Sequence, residues 1–148
     1  MNEQDNVNVV RRWVELLGRW GENPEDIPRA LELMEPDCEW VLMATGERYQ
    51  GTDAVRKMAE QSMAAISHTE QHRLDITNLF GCGDKVCLEY VHGALLRLPG
   101  QTAPSPIEMA ICIVFQCKNG KIATAHEYYE VEQMRGPGAV KPIYGDPA

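Results

Sequence analysis

The chain changes its repeat part-way along. Up to about residue 66 apolar side chains recur every three or four positions, and from about residue 71 they alternate. A helix buries one stripe of side chains and a strand buries every second one. A chain that separates the two periods folds as helices followed by strands, not as alternating βαβ units. Val10, Trp13, Val14 and Leu17 form an i, i+3, i+4, i+7 stripe and predict a first helix over 9–20. A second is expected over 26–35, with Asp26 as its N-cap, Pro28 in its first turn, Pro36 as its stop, and Ile27, Ala30, Leu31 and Met34 inward. Thr52 caps a third, TDAVRKMAEQSMAAI, which places Asp53 near the positive end of the helix dipole. Its buried side is Val55, Met58, Ala59 and Ile66. Between the second and third helices, DCEWVLM reads as a short strand and GERYQG as a loop.

Strands are expected over 71–80, 85–97, 107–117 and 121–131, broken by the turn GCGD, the proline-rich loop LPGQTAPSP and the hairpin signal Asn119-Gly120. The architecture that follows is α+β: a cone-shaped, curved antiparallel sheet with three N-terminal helices on one face, enclosing an apolar pocket. Residues 1–134 form one domain and 135–148 a Gly/Pro-rich tail. Strand 107–117 is apolar on both parities, Ile107, Met109, Ile111, Ile113 and Phe115 on one and Ala110, Cys112 and Val114 on the other. Helices cover one face; a second copy of the chain is expected to cover the other, giving a homodimer through the outer sheet face. Leu31, Val55, Met58, Ile111, Val114, Phe115 and Ile122 are the predicted core.

Composition removes several classes of function. Of the 148 residues 44% are apolar and 24% charged, as in ordinary globular domains. The net charge of −8 and the lack of a basic stretch argue against nucleic acid and anionic membrane as partners. No apolar run approaches the roughly 18 residues that span a bilayer. The polar, acidic start MNEQDNVNVV is unlike a leader, so a cytoplasmic protein is expected. The five cysteines include no C-x-x-C and read as small buried hydrophobes. His68, His72, His92 and His126 show no ligand spacing, so no metal is expected. Nucleotide-binding and serine-nucleophile motifs are missing, so any catalysis is expected to need no cofactor.

The stretches ALELMEPDCEW, GTDAVRKM and VFQCKNGKIATAHEYYEVEQM, with the helix-1 stripe, resemble the SnoaL-like polyketide cyclases and limonene-epoxide-hydrolase-like proteins of the nuclear-transport-factor-2-like superfamily. The resemblance runs over nearly the whole chain and implies the cone-shaped fold. It also implies an inward acid on the last strand, a few residues after the G-K-I turn, which falls at Glu127. Family members usually carry Asp there. In the epoxide hydrolases an Arg and a second Asp precede the Pro-Gly loop; those positions fall at Val91 and Gly93 here. Their Tyr and Asn on the short first strand fall at Trp40 and Leu42. The base that ketosteroid isomerases carry on that strand would stand near Leu42.

Strand parity agrees on Glu127, with Ala123, Ala125, Tyr129 and Val131 as its inward companions. Trp40, Leu42, Val91, Gly93, Met109, Ile111, Ile113 and Tyr129 are the expected pocket walls, and Trp13, Leu17 and Trp20 its floor. A carboxyl in such surroundings is poorly solvated when charged, so its pKa rises toward neutrality, which suits a group that takes and returns a proton. Parity sets His92 and His126 on the opposite face, and Glu89 on that of Val91 and Gly93. The expected activity is a cofactor-free isomerase, cyclase or lyase acting on a small hydrophobic molecule through Glu127. Epoxide hydrolysis, a non-catalytic pocket for a hydrophobic ligand, and recruitment of a partner on the outer sheet face are the alternatives.

Overall fold

A computed structural model describes residues 2–18, 23–65 and 68–129. Helix α1 (Glu3–Leu17) begins well before the apolar stripe. Its start is a reciprocal cap, in which Asn2 accepts from the Asp5 backbone and the Asp5 carboxylate accepts from the Asn2 backbone. The polar segment before Val9 is therefore helix, and Val7 extends the buried stripe of Val10, Trp13 and Val14. Asn6 is also buried, and its side-chain amide donates to the Gly83 carbonyl at 3.3 Å, tying the helix to a distant turn.

Helix α2 (Asp26–Leu31) is shorter than expected, and Glu25, not Asp26, is its cap residue. Met34 and Pro36 belong to strand β1 (Met34–Leu42). Pairing with the last strand draws the chain out of the helix: Ile122 N donates to Leu33 O at 2.9 Å, and Met34 stands opposite Ile122. The register shifts between Met34 and Glu39, which is where a proline is tolerated in a sheet. The expected loop GERYQG contains strand β2 (Glu47–Gln50), which folds back on β1 through a turn where Gly46 takes φ 77°. Helix α3 (Thr52–Ala65) follows, with Val55, Met58 and Ala59 buried; Ile66 lies outside the described residues.

Strands β3 (Thr69–Cys82), β4 (Lys85–Leu96), β5 (Ser105–Lys118) and β6 (Lys121–Tyr129) form the meander that the alternating pattern predicts. Asn119 and Gly120 both adopt positive φ, 53° and 76°, as the two-residue hairpin requires. The sheet is curved and unclosed, in the order β2-β1-β6-β5-β4-β3. All neighbours are antiparallel except β1 and β6, which run parallel. The intervening α3 and meander give the chain the length that a parallel return needs.

The three helices pack over one face. Leu31, Val55, Met58, Ile111, Phe115 and Ile122 are buried, while Val114, on the other face, is half-buried. Cys38 and Cys117 are buried as expected, Cys87 and Cys112 are half-buried, and Cys82 is exposed. At the centre, the Phe115 ring meets Trp13 at 5.5 Å and Trp40 at 6.0 Å between centroids. Residues 135–148, the expected tail, lie outside the described residues. Phe115→Ala removes the shared partner of both indoles and is expected to cost about 3–5 kcal/mol, measured as a lowered urea midpoint at unchanged slope.

Candidate functional site

Directly opposed residues of a sheet share a face, as do residues two apart on one strand. Register therefore decides which side chains look toward the helices. Leu42, Glu127, Ile113 and Leu88 form one line across the sheet. One step toward the β5–β6 turn lie Trp40, Ala125, Phe115 and Val86. One step the other way lie Tyr129, Ile111 and Tyr90, and beyond them Met109, His92 and Leu74.

Glu127 is 2% exposed in this apolar field. Its Oε2 accepts a hydrogen bond from Trp40 Nε1 at 2.8 Å. Among the described residues no other group hydrogen-bonds to its carboxyl, and no Lys or Arg pairs with it. Burial pushes the pKa from 4.5 to about 7, and the Trp40 bond pulls it partly back. The donor is rigid, since Trp40 is 1% exposed and leans on Trp13 at 4.9 Å between ring centroids. The backbone is held too, as Met43 N donates to Glu127 O at 2.9 Å. Trp13 Nε1 is buried without a partner among the described residues. Such an orphan donor costs about 1–3 kcal/mol.

Elsewhere on the helix-covered side burial is less complete. Leu17 of α1, Met63 of α3, Leu42, Met109 and Tyr129 are half-buried and packed against the core. Burial raises the pKa of Tyr129, with the charges of Glu127 and Glu47 adding to it, so its hydroxyl keeps its proton as a donor. The arrangement thus offers a carboxyl poised near neutrality, one fixed indole N–H, a phenol donor and apolar side chains.

Trp13, Trp40, Leu42, Met109, Ile111, Ile113 and Tyr129 stand on the helix-covered side with Glu127. Val91 and Gly93 do not. They oppose Ala110 and Glu108 on the outer face, where the Arg73 guanidinium lies over Gly93 and pairs with Glu108. Their expected place as pocket walls is therefore corrected, and with it that of His92, which is 7% exposed on the inner face. The run KVCLEYVHGALLR is apolar on both parities; the signal that resolves it is Glu89, which is exposed and bonded to Asn78 on the outer side. His126 opposes Val114 on the outer face, as expected. Trp20 and Val131 lie outside the described residues. Among those residues no group of three or more His, Cys, Asp or Glu is placed to hold a metal ion, and no helix is long and apolar enough to cross a membrane.

The model of the SnoaL-like domain matches residues 10–125, from the stripe of α1 through β6 almost to Glu127. The chain belongs to the SnoaL-like domain family. No curated protein matches this SnoaL-like domain. Among solved structures it is similar to a LEH-like epoxide hydrolase of M. tuberculosis, at 17% identity over 89% of this chain and 87% of that one, with a TM-score of 0.63. A protein from Jannaschia sp. CCS1, named for its likeness to SnoaL-like polyketide cyclases, gives 14% identity, coverage of 91% and 94%, and a TM-score of 0.68. One from Catenulispora acidiphila with a ketosteroid-isomerase-like fold, in complex with trimethylamine, gives 21%, coverage of 85% and 88%, and 0.63. At these identities the likeness establishes the fold, one that proteins named for isomerase, cyclase and epoxide-hydrolase activities share.

The buried carboxyl of this SnoaL-like domain makes stability depend on pH in a known direction. Its folded pKa is raised, so the stabilising neutral form is fully present below pH 4.5 and is lost as pH rises through about 7. At about 1.4 kcal/mol per pH unit, the wild type gives up roughly 3 kcal/mol over that window. Glu127→Gln keeps the shape and the Trp40 bond without the charge. Its melting temperature is expected to exceed that of the wild type increasingly from pH 4.5 to pH 7.5. In Trp40→Phe the one interaction that favours the carboxylate is gone, and carboxyl NMR titration is expected to show a Glu127 pKa above that of the wild type.

Proposed function

We propose that the protein is a cofactor-free acid–base enzyme of the isomerase, cyclase or lyase kind, acting through Glu127 on a small, mostly apolar molecule that carries a carbonyl. The observation behind this reading is a carboxyl 2% exposed whose single hydrogen-bond partner among the described residues is Trp40; burial raises its pKa to about 7. A carboxylate in water is a weak base toward carbon, and one paired with Lys or Arg is weaker still. Among the described residues Glu127 has neither form of relief, so taking a proton removes a buried charge.

The chemistry follows from the two oxygens. Trp40 holds Oε2, so the other oxygen is presented to the substrate. It takes a proton from a carbon beside the carbonyl, and the C–H electrons move onto the carbonyl oxygen as an enolate. Tyr129 donates a hydrogen bond to that oxygen. Neutral Glu127 then returns the proton to a different atom, which completes an isomerisation, or the enolate carbon attacks a second carbonyl, whose π electrons become an alkoxide that takes the proton back from Glu127 as the ring closes. The half-buried Leu17, Leu42, Met63 and Met109 hold the apolar body. The working unit is a homodimer through the outer sheet face, which Ala110, Cys112 and Val114 share with Phe80 and Tyr128, themselves 57% and 45% exposed.

Deuterium uptake from D₂O into hydrophobic ketones tests proton abstraction without knowledge of the natural substrate. The wild type is expected to exchange hydrogens beside the carbonyl, with kcat/KM rising as pH passes about 7. Glu127→Gln is expected to be slower by about 10²–10⁴. Equal exchange by both forms, or none by either across the panel, overturns the catalytic reading and leaves a ligand-binding module. Sedimentation at micromolar concentration is expected to show a dimer that Val114→Asp converts to monomer, since a stable interface buries at least about 1,000 Å².

A further inference from the structure

Beyond the Glu127 line, the inner face carries a second polar construction. His72 Nδ1 and His92 Nε2 are 2.8 Å apart. Their rings are 5.0 Å apart between centroids and inclined by 15°. Together these values put the rings edge to edge, nearly in one plane, with the hydrogen bond along the line that joins them. On its far side His72 Nε2 meets Thr69 Oγ1 at 3.1 Å. Three side chains thus form a line that starts on β3 and ends at a ring on β4 that is 7% exposed. Both nitrogens of His72 are engaged, whereas His92 Nδ1 has no hydrogen-bond partner among the described residues.

The pair shares one proton, and either placement satisfies it. With the proton on His72 Nδ1, His92 carries its own on Nδ1 and presents a donor. With the proton on His92 Nε2, Nδ1 is bare and presents an acceptor. The Thr69 hydroxyl serves His72 Nε2 in both cases, since it can donate or accept. Burial and the neighbouring His72 hold the pKa of His92 down to about 4, so the ring is neutral at physiological pH and both placements are open to it.

Position gives this end of the relay a meaning. His92 opposes Met109, on the face that Glu127, Ile111 and Tyr129 share. It lies four residues along β4 from Leu88, the residue two strands across from Glu127. In a flat sheet that is a Cα separation of roughly 16 Å, and curvature brings the two side chains closer. The side chains between are apolar apart from two tyrosines.

We infer that His92 Nδ1 is a second ligand-contacting point, and that the molecule bound on this face is elongated and apolar with a hydroxyl or carbonyl oxygen at each end, one at Glu127 and one at His92. This rests on the reading of the inner face as a ligand site, and it adds the length and polarity of the ligand. The relay lets one ring hold either oxygen type: a hydroxyl donates to bare Nδ1, and a carbonyl accepts from Nδ1–H.

The test uses the full chain and two rigid tricyclic probes, anthraflavic acid, with a hydroxyl on each terminal ring, and its monohydroxy analogue, at pH 6. Binding is followed by quenching of tryptophan fluorescence. The second hydroxyl is expected to tighten binding by about 3- to 10-fold, the range of one net hydrogen bond. His92→Phe is expected to abolish that gain, and Glu127→Gln to keep it. In the wild type the imidazole nitrogen shift of His92 Nδ1 is expected to move with anthraflavic acid and not with its analogue, which needs no variant to fold. Probes that bind without discrimination, a gain that survives in His92→Phe, or a silent Nδ1 each overturn the inference while leaving the deuterium-exchange result standing. Discrimination without any exchange overturns the acid–base reading alone, and failure of both probes to bind overturns this proposal.

Discussion

One hydrogen bond organises the inner face: the Trp40 indole to the Glu127 carboxyl, 2.8 Å long and buried. A carboxyl without a cation in a hydrophobic core is tolerable only if it is neutral part of the time or held by a donor that needs no solvent. The indole is such a donor, and it is kept in place by Trp13 and Phe115, each in ring contact with it. The aromatic cluster thus serves two ends. It fills the space between α1 and the sheet, and it fixes the one polar contact that a buried acid requires.

That contact also explains why the sheet is assembled as it is. Trp40 and Glu127 lie 87 positions apart. They meet because β1 enters the sheet beside β6, in parallel, the one departure from an antiparallel ladder. A parallel pair keeps the two strands in step, so Leu42 stands beside Glu127 while Trp40 sits one step below and reaches up. The inner face then grades from a closed aromatic floor, through the acid, to the half-buried Met109 and Tyr129 and the His72–His92 pair. Burial falls and polarity rises along the same direction.

The outer face obeys another rule. Glu89, Arg73, Asp75 and Glu108 charge one part of it, and Arg73 bridges Asp75 and Glu108. The middle, where Cys112 and Val114 lie, is apolar and only half-covered by the chain itself. A strand that is apolar on both sides has work for two covers, and the helices supply one.

Much of this was legible in the residues because it is local. The change of period separates helices from strands, Asn119-Gly120 forces the hairpin that positions β6, and the alternation Ala125, Glu127, Tyr129 aims a carboxyl inward, although the register shift near Ile122 takes Ala123, expected on the same face, out of that alternation. What tertiary structure alone decided is whatever depends on pairing between distant strands. Pairing with β6 pulled Met34 out of the second helix, and pairing with β1 turned an apparent loop into β2. Strand β4 carries apolar residues on both parities; its register against β5 sends Val91 and Gly93 outward and His92 inward, and Glu89, exposed on the parity of Val91 and Gly93, is the one local sign of it. The partner of Glu127 and the pairing of His72 with His92 were settled there as well, for a hydrogen bond needs angstrom placement, and periodicity gives a face but not a distance.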